Sequence, residues 1–124
     1  MVHSFDHAMV GCDFCGNWAA PSIILGMDPL RNAVVRAKRR GIRLRCITDI
    51  TNDNVSYCKE LCKIVELRHF DGLKGNFVII DGKEYLATAN LQEFKPLPHL
   101  IYSNVPEVIM QQQHIFDTLW YKAI

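Results

Sequence analysis

The sequence predicts a single α/β domain, a mixed sheet flanked by helices, in the order β-α-β-α-β-β-β-α. Three observations carry that prediction. Strand-like apolar runs alternate with stretches whose apolar residues recur at helical spacing, the pattern of layered α/β proteins. Phe77–Ile80 runs into Asp81-Gly82 and then Glu84–Ala87, which reads as two strands joined by a tight turn. The length, 124 residues of which 49% are hydrophobic, suffices for one core and is too short for two.

After a polar lead, Ala8–Cys15 (AMVGCDFC) reads as a short strand stopped by Gly16-Asn17. Pro21–Met27 is apolar and fits a short helix or a buried connector. Asp28-Pro29 opens a helix, with Asp as N-cap and Pro at the first position, and Gly41 ends it. Leu30, Ala33, Val34 and Ala37 make its core-facing stripe. Ile42–Ile47 is a strand with Ile42, Leu44 and Cys46 on one face and Arg43 and Arg45 on the other, so one side of the sheet is expected to be wet or held for a partner.

Thr51 caps the next helix, whose buried stripe is Val55, Cys58, Leu61, Cys62 and Val65 and which runs to about Glu66 or Leu67. Arg68–Gly72 is a loop that carries His69 and Asp71 into the hairpin. Gln92–Pro98 is a second loop, punctuated by Pro96 and Pro98, and His99–Tyr102 (HLIY) is the last strand. Asn104 and Glu107 form an Asn-x-x-Glu capping box for a final helix, with Val108, Ile109, Gln112, Ile115, Phe116, Leu119, Trp120 and Ala123 along one face. That helix meets no Gly, Asn or Pro stop, so 104–124 is expected either to pack on its own sheet or to act as an output helix toward a partner.

Composition narrows the function classes. The net charge is +1, and no apolar run approaches the ~18 residues of a membrane span. The N-terminus (MVHSFDHAM) lacks the layout of a secretory signal, so a soluble, cytoplasmic protein is expected. Five cysteines in such a chain are read as reduced thiols. Cys12 and Cys15 form a CxxC, but on a strand rather than at a helix N-terminus, and no second CxxC completes a zinc ribbon. No metal and no cofactor are expected. Arg31, Arg36, Lys38, Arg39, Arg40, Arg43 and Arg45 concentrate half of the fourteen Lys and Arg residues. Cations at a helix C-terminus complement its dipole, and no nucleic-acid-binding motif accompanies them, which weighs against direct nucleic-acid binding.

The polar residues around the hairpin carry the functional argument. Lys74-x-Asn76-x4-Asp81, followed by Ala87-Thr88-Ala89-Asn90, has the spacing of His-x-Lys-x4-Asp followed by Gly-Ser-x-Asn. It therefore resembles the half-site of the phospholipase D-like superfamily. In that family the histidine attacks phosphorus and the lysine holds phosphate oxygens. Here a lysine, protonated at neutral pH, stands at the nucleophile position and an amide at the phosphate-holding position. The resemblance implies one half of a phospholipase D-like fold with a degenerate, non-catalytic site, and a homodimer sharing a pocket or interface.

A second resemblance covers most of the chain. RRGIRLRCITDITNDNVSYCKELCKIVELRHFDGLKGNF, YLATANLQE and LIYSNVPEVIMQQQHIFDTLWYKAI are similar to the sensory domain that precedes the kinase core in archaeal, especially thaumarchaeal, sensor histidine kinases. This implies an input domain of a two-component signal-transduction protein, with the kinase region downstream and outside this chain. The expected site gathers Lys74, Asn76, Asn90, His69, Asp49, Thr88 and Asp81 around a small polar or anionic molecule, Lys74 giving charge and the amides directional hydrogen bonds. The alternatives are the effector-binding domain of a transcription regulator, and a phosphodiesterase or nuclease with His69 as a displaced nucleophile.

Overall fold

The computed structural model describes residues 2–88 and 100–124. Within them the elements are α1 (Val2–His7), β1 (Gly11–Gly16), α2 (Ala20–Gly26), α3 (Asp28–Arg39), β2 (Arg43–Thr48), α4 (Val55–Leu61), β3 (Glu66–His69), β4 (Phe77–Ile80), β5 (Glu84–Thr88), β6 (Leu100–Ser103) and α5 (Pro106–Lys122). The strands form one mixed sheet in the order β3-β2-β1-β4-β5-β6. The β1–β2 and β2–β3 pairs are parallel, while β1–β4, β4–β5 and β5–β6 are antiparallel. This is the single α/β domain that the alternation of elements predicted.

The strand β1, GCDFCG, is buried along its whole length. Its small residues let neighbouring elements come close: a Cβ on Gly16 would lie 2.3 Å from the Cβ of Ala20 at the start of α2. Period-two alternation sends Cys12 and Phe14 into one core, with Phe5, Val34, Leu44, Leu61, Val78 and Leu86, beneath α1 to α4. Asp13 and Cys15 point to the other face, where Cys15, Ile47, Leu73 and Ile79 pack under Ile109 and Phe116 of α5. The hairpin turns on Asp81 and Gly82, whose φ angles are 56° and 64°, and the Lys83 N–H donates to Ile80 O at 2.9 Å.

Several expectations are corrected. The polar lead contains α1, and β1 starts at Gly11 rather than Ala8. Asp28 lies within α3, whose N-cap is Met27 with no side-chain capping bond. Helix α4 begins after Asn54 rather than Thr51 and ends at Leu61; Thr51 Oγ1 is buried with no hydrogen-bond partner. The chain then turns through 62–64, and Glu66–His69, expected as helix end and loop, is the parallel edge strand β3. An edge strand tolerates charged residues, and this one alternates for only four, so it leaves little hydrophobic pattern. Helix α5 is capped at Val105, whose N–H donates to Ser103 Oγ at 3.2 Å, and the Asn104–Glu107 box does not form.

The Arg43/Arg45 side of the sheet is wet only in part: α5 lies over Arg45, while Arg43 stays exposed with Nη2 3.7 Å from Asp13 Oδ2. Arg45 Nε and Nη2 donate to Asp13 Oδ1 and Oδ2 at 2.8 and 2.7 Å. Gln113 Nε2 donates to the same carboxylate at 3.0 Å, and Asp117 Oδ1 lies 3.4 Å from Arg45 Nη2. The Arg45 guanidinium also sits over Phe116 and Trp120, 5.0 and 5.3 Å from the ring centroids. Ile115, expected on the buried face of this helix, is 42% exposed.

Candidate functional site

Because β1, β2 and β3 are parallel, their C-terminal ends share one edge of the sheet, and the start of β4 and the end of β5 join them there. Open α/β sheets collect ligand groups at such an edge. Asp49, His69, Lys74, Asn76 and Thr88 all lie on or beside it. Asp81 does not. The β1–β4 register sets Cys15 opposite Phe77 and Cys12 opposite Ile80, so Asp81 stands at the far end of the sheet. There its carboxylate accepts the N–H groups of Met9, Val10 and Gly11 at 2.9, 2.8 and 2.9 Å. Burial pushes the Asp81 pKa up, but the three N–H donors outweigh it and hold the carboxyl below its usual range. Asn90 lies outside the described residues.

Asn76 is 6% exposed, and its Oδ1 accepts the Asn17 N–H at 3.0 Å, bracing the chain as it leaves β1. Its backbone carbonyl accepts the Thr88 N–H at 2.9 Å, which ties the entry of β4 to the end of β5. Lys74, two residues earlier, is exposed and makes no hydrogen bond or ion pair with another described residue. The two motif positions therefore differ in kind, one an internal brace and the other a solvated cation.

His69 sits on β3 next to the Asp49 turn. Its Nδ1 accepts the Ile50 N–H at 2.8 Å, which places the proton of the neutral ring on Nε2, where Asp71 Oδ1 accepts it at 2.7 Å. Asp49 Oδ1 is 3.9 Å from Nδ1, and Asp49 Oδ2 accepts the Gly72 N–H at 3.2 Å. One ligand atom from each of Asp49, His69 and Asp71 lies within 4.8 Å of the others, close enough to surround a cation. A metal on either ring nitrogen would first displace one of the ring's two hydrogen bonds, so the set is built as a hydrogen-bonded turn. For attack, the unprotonated Nδ1 would have to give up the Ile50 N–H.

Two further asparagines organise this edge. Asn54 is buried; its Nδ2 donates to Trp18 O and Asp49 O, each at 2.8 Å, and its Oδ1 accepts the Thr51 N–H at 2.7 Å. Asn17 accepts from Thr48 Oγ1 through its carbonyl and from the Ala19 N–H through its side chain, both at 3.0 Å. A polar side chain in a tight turn was the available signal.

The remaining motifs have structural surroundings of their own. Cys12 and Cys15 lie on opposite faces of β1, and burial pushes each thiol pKa up to about 12. A shared metal or a mutual disulfide would require both sulfurs on one side. Most of the basic cluster is also spoken for: Arg36 is bidentate on Asp6, Arg40 donates to Phe5 O and Ala8 O, Lys38 donates to Lys63 O, and Arg45 binds Asp13. Among the described residues no helix is long and apolar enough to cross a membrane.

The mixed six-stranded sheet with helices on both faces is similar in fold to the phospholipase D family. Two solved structures share this fold. One is Nuc, a phospholipase D family member from Salmonella typhimurium, with a TM-score of 0.76 over 99% of this chain and 86% of that chain at 13% identity. The other is TrmBL2, an archaeal chromatin protein described as showing a novel mode of DNA binding, with a TM-score of 0.65 over 98% of this chain and 47% of that chain at 17% identity. At these identities the likeness is one of fold. The sequence matches no protein-family model and no curated relative.

Proposed function

We propose that the chain is a non-catalytic phospholipase D-like binding module, which takes up a small polar or anionic ligand at the sheet edge beside Lys74. The observation that carries this reading is the use made of the motif positions. Asn76 holds Asn17, while Lys74 is an exposed cation that makes no hydrogen bond or ion pair with another described residue and so is available to attract an anion. Asp49, His69 and Thr88 stand along the same edge. In this reading the module is the input domain of a signal-transduction histidine kinase and works as a homodimer, with α5 as its output helix; the resemblance of its sequence to such domains supports that assignment.

The test is a panel of small anions and polar metabolites, followed by amide chemical shifts on wild type and Lys74→Ala. Binding that perturbs residues near 49–51 and 69–76 and is lost in the variant supports the proposal. Turnover of a phosphodiester substrate, abolished by His69→Ala, would replace it with the enzymatic reading. A second reading, the effector-binding domain of a transcription regulator, is compatible with the likeness to TrmBL2, an archaeal chromatin protein with a mode of DNA binding, over 98% of this chain and 47% of that chain. Finding DNA-binding sequence in the same polypeptide would favour that reading over the kinase.

A further inference from the structure

From the two residues that close β3, we infer that Arg68 and His69 form a clasp that couples the end of α5 to the candidate ligand edge. Each of them faces both ways. Arg68 Nη1 donates to Trp120 O at 2.9 Å, and its guanidinium lies 4.1 Å from the Trp120 ring centroid. A cation there satisfies a carbonyl in the last turn of the helix and complements its dipole. His69 exchanges backbone hydrogen bonds with Ile124: its N–H donates to Ile124 O at 2.8 Å, and the Ile124 N–H donates to His69 O at 2.9 Å. The ring of the same histidine holds the Ile50 N–H and Asp71.

The helix on the other side of this clasp is anchored by few fully buried residues. Of the seventeen residues of α5, only Ile109 and Phe116 are fully buried, whereas α1 to α4 share the opposite face of the sheet. A segment with few buried apolar residues opens at lower free energy than the core it covers. Its last turn is held by Arg68 and His69 together with Leu119, Trp120 and Ala123, which pack against the sheet while partly exposed. Anything that draws Asp49, Ile50 or Asp71 toward a ligand pulls on the imidazole of the residue that pins Ile124. That gives the binding edge a physical route to the terminal helix. The idea deepens the proposed function but does not need a ligand to be tested.

Hydrogen exchange on the unliganded full chain tests it. Both His69→Ala, which keeps the backbone pair but removes the ring, and Arg68→Ala are expected to raise exchange of the last α5 turn by about tenfold or more. Amides of α3 should be unchanged. Arg68→Lys, which keeps the charge but loses the planar stack, should fall between. If His69→Ala loosens only 49–52 and 70–72, the coupling is refuted. If all elements accelerate together, α5 opens only with the whole domain and the inference is likewise overturned. Failure here would leave the binding proposal intact, and failure to find a ligand would leave the clasp intact.

Discussion

Arg45 and Asp13 face each other across the β1–β2 register and are joined by two hydrogen bonds, with Asp13 almost wholly buried. The bond to Asp13 is the main cause of the raised Arg45 pKa. Gln113 and Asp117 complete the network from above, so it sets where along the sheet α5 can dock. Removing Arg45 leaves the buried Asp13 charge with Gln113 at 3.0 Å and the exposed Arg43 at 3.7 Å. Arg45→Met should cost about 3 kcal/mol, and Asp13→Asn in the same chain should recover part of the loss because the buried charge is gone. Urea denaturation of the two single variants and the double variant measures the coupling.

Asp81 should act on stability through its charge. Its folded-state pKa is lowered, so its stabilising contribution is fully present above the ordinary value of about 3.9 and is lost as pH falls through the folded value. Asparagine tolerates positive φ, so Asp81→Asn keeps the turn. The variant should lose about 1–2 kcal/mol at pH 7 and show a flatter acid limb than wild type. An unchanged acid limb would mean that the three N–H donors do not depend on the charge.

Asn76 and Lys74 should separate stability from binding. Asn76→Ala leaves the Asn17 N–H without its acceptor and should cost about 1–3 kcal/mol. Lys74→Ala should stay within about 0.5 kcal/mol of wild type in thermal or urea unfolding. Equal losses would place Lys74 in the framework rather than at a binding edge.

Gly16 should resist any side chain. Gly16→Ala sets two Cβ atoms 2.3 Å apart and should destabilise by about 1–3 kcal/mol, with Ala20→Gly restoring much of the loss. Thermal unfolding of the single and paired variants reads the rescue.

The thiols should titrate by position. Cys62 is exposed, whereas Cys12, Cys15, Cys46 and Cys58 are buried and burial raises their pKa values. A chromogenic disulfide reagent at pH 8 should modify one thiol quickly in the native chain and all five after unfolding. Rapid modification of Cys12 or Cys15 in the native state would contradict their burial.

Much of the framework could be read from local chemistry. Asp81-Gly82 announced the hairpin, and Leu30, Ala33, Val34 and Ala37 announced α3, because turn geometry and helical spacing act over a few residues. Strand β3 escaped notice, since four alternating residues on a sheet edge resemble a helix end. The covering of Arg45 escaped as well; it depends on Asp13, 32 residues away, and on a helix that follows much later in the chain. The candidate site was legible as a spacing but not as a set of roles. Nothing local reveals that Asn76 braces Asn17, or that Asp81 gathers amides 70 to 72 residues distant at the opposite end of the sheet.

That a single helix roofs one side of the sheet bears on how the polypeptide can be cut. An excision ending near Asn104 would strip the roof from Cys15, Ile47 and Ile79 and leave a greasy sheet facing water. Such a fragment should precipitate, so any fusion or truncation has to carry the polypeptide through at least Ile124.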